Sequence, residues 1–549
     1  MFDFTQHLST RLRRFMTPQD EPIPDSTQIP NSAGGFAWGV DGWTRLDRFL
    51  ILGSEGGTFY VDERTLTREN AAAVEACITE DGVRVVQRVI EISESGRAPK
   101  NEPALFVLAM AASLGNDATR AAALDALERV ARTGTHLFHW LQYAKAFRGW
   151  GRGVRRAVGR WYTARSPSDL AYQMLKYQAR DGWTHRDALR LAHPKAPSRE
   201  HEVLFRFATH GWETETDGTV LRTEVGERIE AVRAIRGMSA KDAARVIREH
   251  RFAREMVPTE LLTQPIVWEA LLEQMPLGAM IRSLAVMTKV GLVSPGSEAA
   301  ATIAARLNSR EVIRRARVHP LAVLAALKTY AQGYGMRGQG RWDAVAQVVD
   351  ALDGAFYLAF ANAPRTGKRV MLALDVSGSM VSAVHGMPFL SCREASAAMA
   401  LVTAATEPQH RFVAFTNGSY PSMYSARGFN SGLTPLAISP RQRLDDVVKT
   451  TAALPFGGTD CALPMVEALK HRWMVDTFVV YTDSETWAGS IHPAQALRAY
   501  RERMGIAAKL VVVAMTSNGF TIADPEDAGM LDVVGFDAAT PQVISDFMQ

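Results

Sequence analysis

The sequence predicts an α-helical repeat domain followed by an α/β domain with a parallel sheet, and three observations support this fold class. The chain has 549 residues, which is too long for one hydrophobic core. From about residue 69 to 360, apolar side chains recur at helical spacing between short polar or Pro/Gly breaks. After residue 361, apolar strands alternate with helical stretches, which indicates βαβ units.

The helical half contains start signals but no strict sequence period. Thr184-x-x-Asp187 has the character of a capping box. Consecutive short helices with short links predict antiparallel helix pairs stacked as an irregular solenoid, which builds concave surfaces or rings. The change in pattern near residue 362 predicts two domains, 1–361 and 362–549.

The α/β half contains four apolar runs that we interpret as buried parallel strands covered by helices on both faces. These predicted strands span residues 371–375, 411–416, 477–482 and 509–515.

Oxygen-bearing side chains follow two of these strands. MLALDVSGSM places Asp375, Ser377 and Ser379 where the first strand ends, and ligands of open α/β sheets bind beyond the carboxyl ends of strands. One carboxylate and two hydroxyls suit a hard cation such as Mg²⁺. Thr459 in the glycine-rich PFGGTDC and Asp483 at the end of TFVVYTD add two oxygen ligands. The alternative is that these residues only form turns and cap helices after strands.

Positive charge is concentrated in residues 141–200, which hold 13 Lys or Arg against four acidic residues. In GRGVRRAVGRWY, helical spacing predicts Arg152, Arg156 and Arg160 on one face and Val154, Val158 and Trp161 on the opposite face. Like charges at this spacing destabilise a helix. This row of three arginines therefore indicates a surface whose charge a polyanion neutralises. The alternative is an ordinary solvated basic face.

The segments that follow repeat this basic character. Lys176 and Arg180 are predicted to share a helix face, and His193 precedes a proline. Three aromatic side chains lie among these charges and are candidates to stack on unpaired bases, although isolated aromatic residues of this kind more often belong to the core: Tyr162, Tyr177 and Trp183.

The composition is that of an ordinary globular protein, with 47% hydrophobic and 22% charged residues and a net charge of +4. Of the 62 basic residues 51 are Arg, whose guanidinium group can form a bidentate contact with phosphate. A GC-rich genome also favours Arg, so the composition alone does not indicate phosphate binding. Three cysteines without a CxxC pair exclude a disulfide framework. The N-terminus lacks the apolar core of a signal peptide, and no run is long enough to span a membrane, so we expect a cytoplasmic protein.

Several long motifs in order resemble the Ro ribonucleoproteins, the TROVE-domain autoantigen family. They are NSAGGFAW, RFLILGSEGGTFY, KYQARDGWTHRDALRLAHPK, LDVSGSM, GGTDCALPM, YTDSETWAG and MTSNGFTIADPEDAGMLDVVGFD. The resemblance implies a ring of HEAT-like helical repeats (the TROVE domain) followed by a von Willebrand factor A domain. It identifies the five oxygen ligands as a metal-ion-dependent adhesion site that binds a divalent cation, most simply Mg²⁺.

The resemblance also implies RNA binding without catalysis. Family members bind small noncoding Y RNAs on the outer ring surface and accept single-stranded 3′ ends of misfolded or precursor RNAs in the ring hole. By motif, the Y-RNA contacts fall on Lys176, Arg180 and His193, and the arginine helix departs in detail from animal relatives. Some bacterial relatives associate with the exoribonuclease polynucleotide phosphorylase, which is therefore an expected partner. We expect a monomer that does not bind membranes.

Three classes of function are compatible with parts of this pattern. An RNA-binding scaffold in RNA quality control accounts for the basic segment. A metal-dependent interaction module, in which an acidic partner completes the cation's ligand shell, accounts for the C-terminal site. A metal-dependent hydrolase would need a His or Glu base beside the site or a second metal cluster, and no such group is assignable from the sequence.

Overall fold

The computed structural model places helices in the N-terminal half and a parallel sheet in the C-terminal half. It describes residues 16–52, 71–98, 100–211, 223–316, 318, 320–335, 340–359, 365–384, 387–416, 432–454, 457–515, 519–534 and 540–549.

The N-terminal half is an array of helices that pack against helices one to three places away along the chain, as expected for stacked helix pairs. These helices are α1 (Gly42–Leu52), α2 (Ala72–Ser95), α3 (Glu102–Leu114), α4 (Asp117–Val130), α5 (Gly134–Phe147), α6 (Arg152–Thr163), α7 (Pro167–Lys176), α8 (His185–Ala192), α9 (Arg199–His210), α10 (Glu224–Ala234), α11 (Ala240–His250), α12 (Pro265–Leu272), α13 (Leu277–Lys289), α14 (Glu298–Leu307), α15 (Arg310–Ala316), α16 (Pro320–Gln332) and α17 (Ala346–Leu358). The capping box of Thr184 and Asp187 is confirmed at the start of α8. Within the described ranges, no helix is both long and apolar enough to cross a bilayer.

The C-terminal half is an α/β domain whose central sheet has the strand order β13-β11-β10-β5-β8-β9. All neighbours pair in parallel except β8 with β9. The strands of this half are β5 (Val370–Asp375), β6 (Ala383–Val384), β7 (Met387–Ser391), β8 (His410–Phe415), β9 (Leu433–Pro435), β10 (Thr477–Thr482), β11 (Lys509–Ala514), β12 (Phe520–Thr521) and β13 (Met530–Val534). Its helices are α18 (Cys392–Thr406), α19 (Leu444–Ala452), α20 (Leu463–Lys470), α21 (Pro493–Met504) and α22 (Thr540–Met548). The four predicted strands are confirmed to within one residue.

Alternation along β5 divides its side chains between two apolar layers, as a sheet covered on both faces requires. Leu372 and Leu374 join a core that continues into the helical half, whereas Met371 and Ala373 face a separate core formed with α20 and α21. The helical half and one face of the sheet therefore share one continuous hydrophobic core.

Both ends of the helical array contact the α/β domain. At the first helix, the fully buried Arg48 side chain pairs with Asp532 on β13 at 2.7 Å. At the last helices, Lys328 on α16 pairs with Glu394, and Asp353 on α17 accepts a hydrogen bond from the backbone N–H of Leu444 at 2.9 Å. These contacts close a continuous circuit of packed elements, which is a geometric requirement of the ring that the resemblance implies.

The segment that precedes the first helix lies on the α/β domain, although the sequence places it in the N-terminal domain 1–361. Its strands β1 (Gln28–Pro30) and β2 (Phe36–Gly39) pair with each other, and β2 pairs with β12 of the C-terminal half. A local sequence pattern carries no signal for this long-range pairing. The predicted domain boundary itself falls within residues 360–364, outside the described residues.

We predict that Asp532→Ala lowers the free energy of unfolding by about 3–5 kcal/mol, because it leaves the buried Arg48 guanidinium without its carboxylate. Glu94→Ala is the matched control, since it removes the exposed partner of Arg129 and should leave the unfolding midpoint nearly unchanged. Differential scanning calorimetry of both variants measures the two midpoints. Equal midpoints would show that the Arg48 pair does not hold the first helix to the sheet.

Candidate metal centre and basic surface

The five predicted metal ligands come together at the carboxyl edge of the central sheet. Strands β5 and β10 are parallel neighbours in the sheet, so Asp375 at the end of β5 and Asp483 just after β10 emerge side by side. All five side chains are almost completely buried, with exposed fractions of 0–2%, namely Asp375, Ser377, Ser379, Thr459 and Asp483.

Hydrogen bonds fix the geometry of this site. Asp375 accepts one bond from the backbone N–H of Ser377 at 2.9 Å and one from the hydroxyl of Thr482 at 2.6 Å. The hydroxyls of Ser377 and Ser379 lie 3.1 Å apart. Three of the five predicted ligands, Asp375, Ser377 and Ser379, therefore belong to one hydrogen-bonded network.

The loop with Thr459 is tied to the same edge through its backbone. The carbonyl oxygen of Thr459 accepts bonds from the N–H groups of Trp487 at 3.1 Å and Ala488 at 3.0 Å, which follow Asp483. The N–H of Gly378 donates to the carbonyl of Gly457 at 3.2 Å. These bonds hold the three ligand-bearing loops together.

The hydroxyls of this site do not act as helix caps, which was the alternative interpretation. Ser377 occupies the N-cap position of a short 3₁₀ helix, but its side chain makes no capping bond there. Thr459 lies three residues before Ala462, which is the N-cap of α20. Asp375 and Asp483 each accept a bond from the backbone N–H two residues further along the chain, so the turn part of that interpretation holds whereas the capping part does not.

Burial and mutual repulsion disfavour negative charge at this site in the absence of a cation. Burial, with repulsion from Asp375 second, raises the pKa of Asp483 to about 8. Burial also raises the pKa of Asp375, although hydrogen bonds from Ser377 and Thr482 oppose the shift. Two adjacent buried carboxylates with neutral hydroxyls form the all-oxygen donor set that Mg²⁺ prefers, so the residues fit a hard divalent cation.

The arginine helix has the two faces that its sequence predicts. Val158 and Trp161 are fully buried in α6 and Val154 is half-buried, whereas Arg152 and Arg156 are exposed. Neither arginine forms an ion pair with any acidic residue that the structure describes. Arg160 differs, because it pairs with Asp125 at 2.7 Å.

The prediction that Lys176 and Arg180 share a helix face is wrong. Helix α7 ends at Lys176, and Arg180 lies in a hairpin of β3 (Ala179–Arg180) and β4 (Trp183–Thr184). The turn between them is Asp181-Gly182, with φ of 51° and 77°. Asp-Gly is the residue pair that such a left-handed hairpin turn favours, so this signal was present in the sequence but was overlooked.

Side chains of α5, and Trp150 just after it, hold this hairpin in place, and the sequence predicts none of these contacts. His139 contacts the carboxylate of Asp181 at 2.5 Å. Trp183 donates to Gln142 at 3.2 Å and packs edge-on against Trp150. Arg180 itself is exposed and its Nε lies 3.7 Å from the Asp181 carboxylate, so the hairpin presents a guanidinium that is loosely paired with the turn.

His193 also lies on this surface, whereas one of the predicted stacking residues does not. His193 is exposed in a left-handed conformation, with φ of 46°, at the end of α8. Tyr162 is fully buried and its hydroxyl contacts His185 at 2.8 Å, so the prediction that Tyr162 is available to stack on bases is wrong. Tyr177 and Trp183 are half-buried. Tyr177 lies 5.0 Å from the Lys176 ammonium.

Comparison with known proteins agrees with both halves of this description. The family model of the TROVE domain matches residues 29–234 and 245–332, and that of the Ro60 vWA domain matches residues 369–548. The RNA-binding protein RO60 of Deinococcus radiodurans is 42% identical over 96% of this chain and 97% of its own length. The RNA-binding protein RO60 of Caenorhabditis elegans is 37% identical over 96% of this chain and 91% of its own length.

A solved structure shows the same fold. The crystal structure of the Deinococcus radiodurans RO (RSR) protein superposes with a TM-score of 0.69 at 41% identity, covering 92% of this chain and 99% of that one. With both domain models matched and relatives similar over nearly the full length, this chain belongs to the Ro60 family, with a TROVE domain followed by a Ro60-type von Willebrand A domain.

Proposed function

We propose that this protein is a non-catalytic RNA-binding scaffold that acts in RNA quality control, processing or the stress response. The observation that carries the proposal is the exposed basic surface formed by α6, the Arg180 hairpin and His193. Arginine and lysine side chains on one surface supply salt-dependent affinity for phosphates. The names of the RNA-binding relatives support the same function.

On this proposal, a structured Y-like RNA binds the outer surface at Lys176, Arg180 and His193, beside Arg152 and Arg156. A cavity of about 1000 Å³ between the early and late helices is the candidate site for single-stranded 3′ ends of misfolded or precursor RNA. Its lining combines cationic side chains with one half-buried aromatic ring, which suits phosphates and a base together. The residues that supply these groups are Lys100, Arg132, Arg282 and Trp342.

We further propose that the metal site holds Mg²⁺ through Asp375, Ser377, Ser379, Thr459 and Asp483. The cation would neutralise the two buried carboxylates and could take an acidic group of a partner. An interaction adaptor is therefore the second candidate function, and exposed apolar side chains near the site favour it: Val381 is 47% and Trp487 is 37% exposed. An exoribonuclease such as polynucleotide phosphorylase is the partner class that the family resemblance implies.

The proposed location is the cytoplasm, and the proposed state is a monomer. Cys77, Cys392 and Cys461 are all buried free thiols, which is the form that a reducing compartment maintains. Crosslinking of the protein to RNA in its native cell, followed by sequencing of the bound RNA, tests the proposed function most directly.

The double variant Lys176→Ala/Arg180→Ala is expected to weaken binding of structured RNA and to lower the salt slope by about 1.4–1.8 units, because two phosphate contacts are lost. The control is Arg441→Ala/Arg498→Ala, which removes the same charge from exposed positions of the other domain. Filter binding across a salt series measures both slopes. Equal slopes for the two variants would refute the assignment of this surface.

His193→Ser is expected to weaken the binding of structured RNA and to leave the binding of single-stranded RNA unchanged, since the proposal assigns His193 to the outer surface. Arg282→Gln should do the reverse, because Arg282 lines the cavity. Competition assays with one hairpin RNA and one unstructured oligonucleotide compare the two variants. Parallel losses for both RNAs in both variants would contradict two distinct sites.

Mg²⁺ affinity is expected to rise with pH, by up to about tenfold per unit below the Asp483 pKa of about 8, since the protonated carboxyl must lose its proton to bind the cation. Calorimetry in buffers of different ionisation enthalpy should detect more proton release on Mg²⁺ binding at pH 6.5 than at pH 9. A pH-independent Mg²⁺ affinity would argue against direct ligation by Asp483.

Asp375→Ala should abolish Mg²⁺ binding in calorimetric titrations, while gel shifts should show that RNA binding is retained.

A further inference from the structure

We define the N-terminal segment as residues 16–39 and the metal-edge loop as residues 483–489. The N-terminal segment forms hydrogen bonds with the metal-edge loop. The side-chain amide of Asn31 donates to the backbone carbonyl of Thr486 at 2.7 Å. The N–H of Ala33 donates to the carboxylate of Glu485 at 3.1 Å. Glu485 is fully buried and lies two residues after the metal ligand Asp483.

Gln19 makes a second set of bonds to the same edge. Its side chain is completely buried and accepts a hydrogen bond from the hydroxyl of Thr486. Its amide donates to the carboxylate of Asp460 at 2.7 Å and to the carbonyl of Ile491 at 2.8 Å. Because Asp460 directly follows the ligand Thr459, Gln19 joins the neighbours of two metal ligands.

Close packing explains two glycines in the family-like motifs NSAGGFAW and YTDSETWAG. A Cβ atom on Gly35 would lie 2.0 Å from the carbonyl oxygen of Thr486. A Cβ atom on Gly489 would lie 2.2 Å from the side-chain nitrogen of Gln19. The N-terminal segment therefore touches the metal-edge loop without space for any larger residue.

From these contacts we propose that the N-terminal segment is a structural part of the metal centre, with Gln19 and Asn31 as positioning residues for Asp483 and Thr459. The inference rests on the metal site proposed above and extends it across both halves of the chain. Because Thr459 is bonded to Trp487 and Ala488 of the metal-edge loop, a displaced loop would move both ligands together.

The same segment leads directly into the first helix of the array. Strand β2 pairs with β12, the N–H of Val40 donates to Gly519 at 3.0 Å, and helix α1 follows from Gly42. Cation binding at the sheet edge therefore stabilises the contact that closes the helical array on the α/β domain. By linkage, closure of the array raises cation affinity by the same factor.

The test uses full-length variants and Mg²⁺ titrated by calorimetry. Asn31→Ala and Gly35→Ala should each weaken Mg²⁺ affinity at least tenfold, the first by deleting a bond to Thr486 and the second by forcing the segment away. Thr17→Val is the matched control: it also lies in the segment, but its hydroxyl accepts a bond from Gln495 on α21 and, among the described residues, forms no hydrogen bond with a ligand-bearing loop. Its Mg²⁺ affinity should stay within about twofold of wild type.

Thermal unfolding without metal separates positioning from general stability. A merely structural role would lower the unfolding midpoint in all three variants and leave the Mg²⁺ affinity of the folded protein unchanged. That result would overturn the inference.

Hydrogen exchange gives the reciprocal readout. Mg²⁺ should slow exchange of the amides of residues 16–39 in wild type and have no effect on them in Asp375→Ala. If Mg²⁺ binds and these amides do not respond, the coupling is refuted while the metal site stands. If wild type binds no Mg²⁺ at millimolar concentration, the proposed metal site and this inference both fail.

Discussion

The closed arrangement of this chain depends on a buried ion pair between its first helix and its last strand. The Arg48 side chain is completely enclosed, and a guanidinium leaves water at high cost unless a carboxylate and further acceptors surround it. Asp532 and the carbonyl of Phe520 at 3.0 Å supply those acceptors. An open helical solenoid needs polar end repeats to protect its terminal faces, whereas here the α/β domain covers both ends.

Electrostatics divides the molecule into two binding regions of opposite character. On α6, arginines stand at i, i+4 spacing, which destabilises the isolated helix, and only the last of the row is relieved by Asp125. At the sheet edge, two carboxylates are buried together at a cost that their raised pKa values express. The net charge of the whole chain, +4, indicates neither of these local clusters of charge. On the proposals above, a polyanion would stabilise the first region and a cation would stabilise the second.

Local sequence patterns predicted the strands and the sheet-edge site, which depend mainly on local hydrophobicity and strand order. Apolar runs marked the four strands, and the parallel order of β5 and β10 brought Asp375 and Asp483 together because carboxyl ends of parallel strands meet at one edge. The helix-face assignment of Lys176 and Arg180 was wrong because the Asp181-Gly182 turn overrides helical spacing.

Contacts between residues far apart in the sequence determine the features that local patterns did not predict. Asn31 and Thr486 are separated by 455 residues, and no local pattern pairs them. Likewise, the spacing of Tyr162 allowed an exposed position, and only the packing around His185 shows that it belongs to the core. The NSAGGFAW motif was visible in the sequence, but its role at the metal edge follows only from the fold.

The geometry of the cavities bears on how the two proposed RNA sites relate to each other. A second cavity of about 820 Å³ is lined by Lys176, Arg228, Arg254 and Arg282. Arg282 also lines the larger cavity between the early and late helices, so this one side chain borders both spaces. The lining of the second cavity also carries Asp169 and Glu255, so its cationic side chains are interrupted by two acidic ones. Because the backbone charge of RNA repeats at every nucleotide, several cationic side chains in one cavity favour a single strand over a free nucleotide.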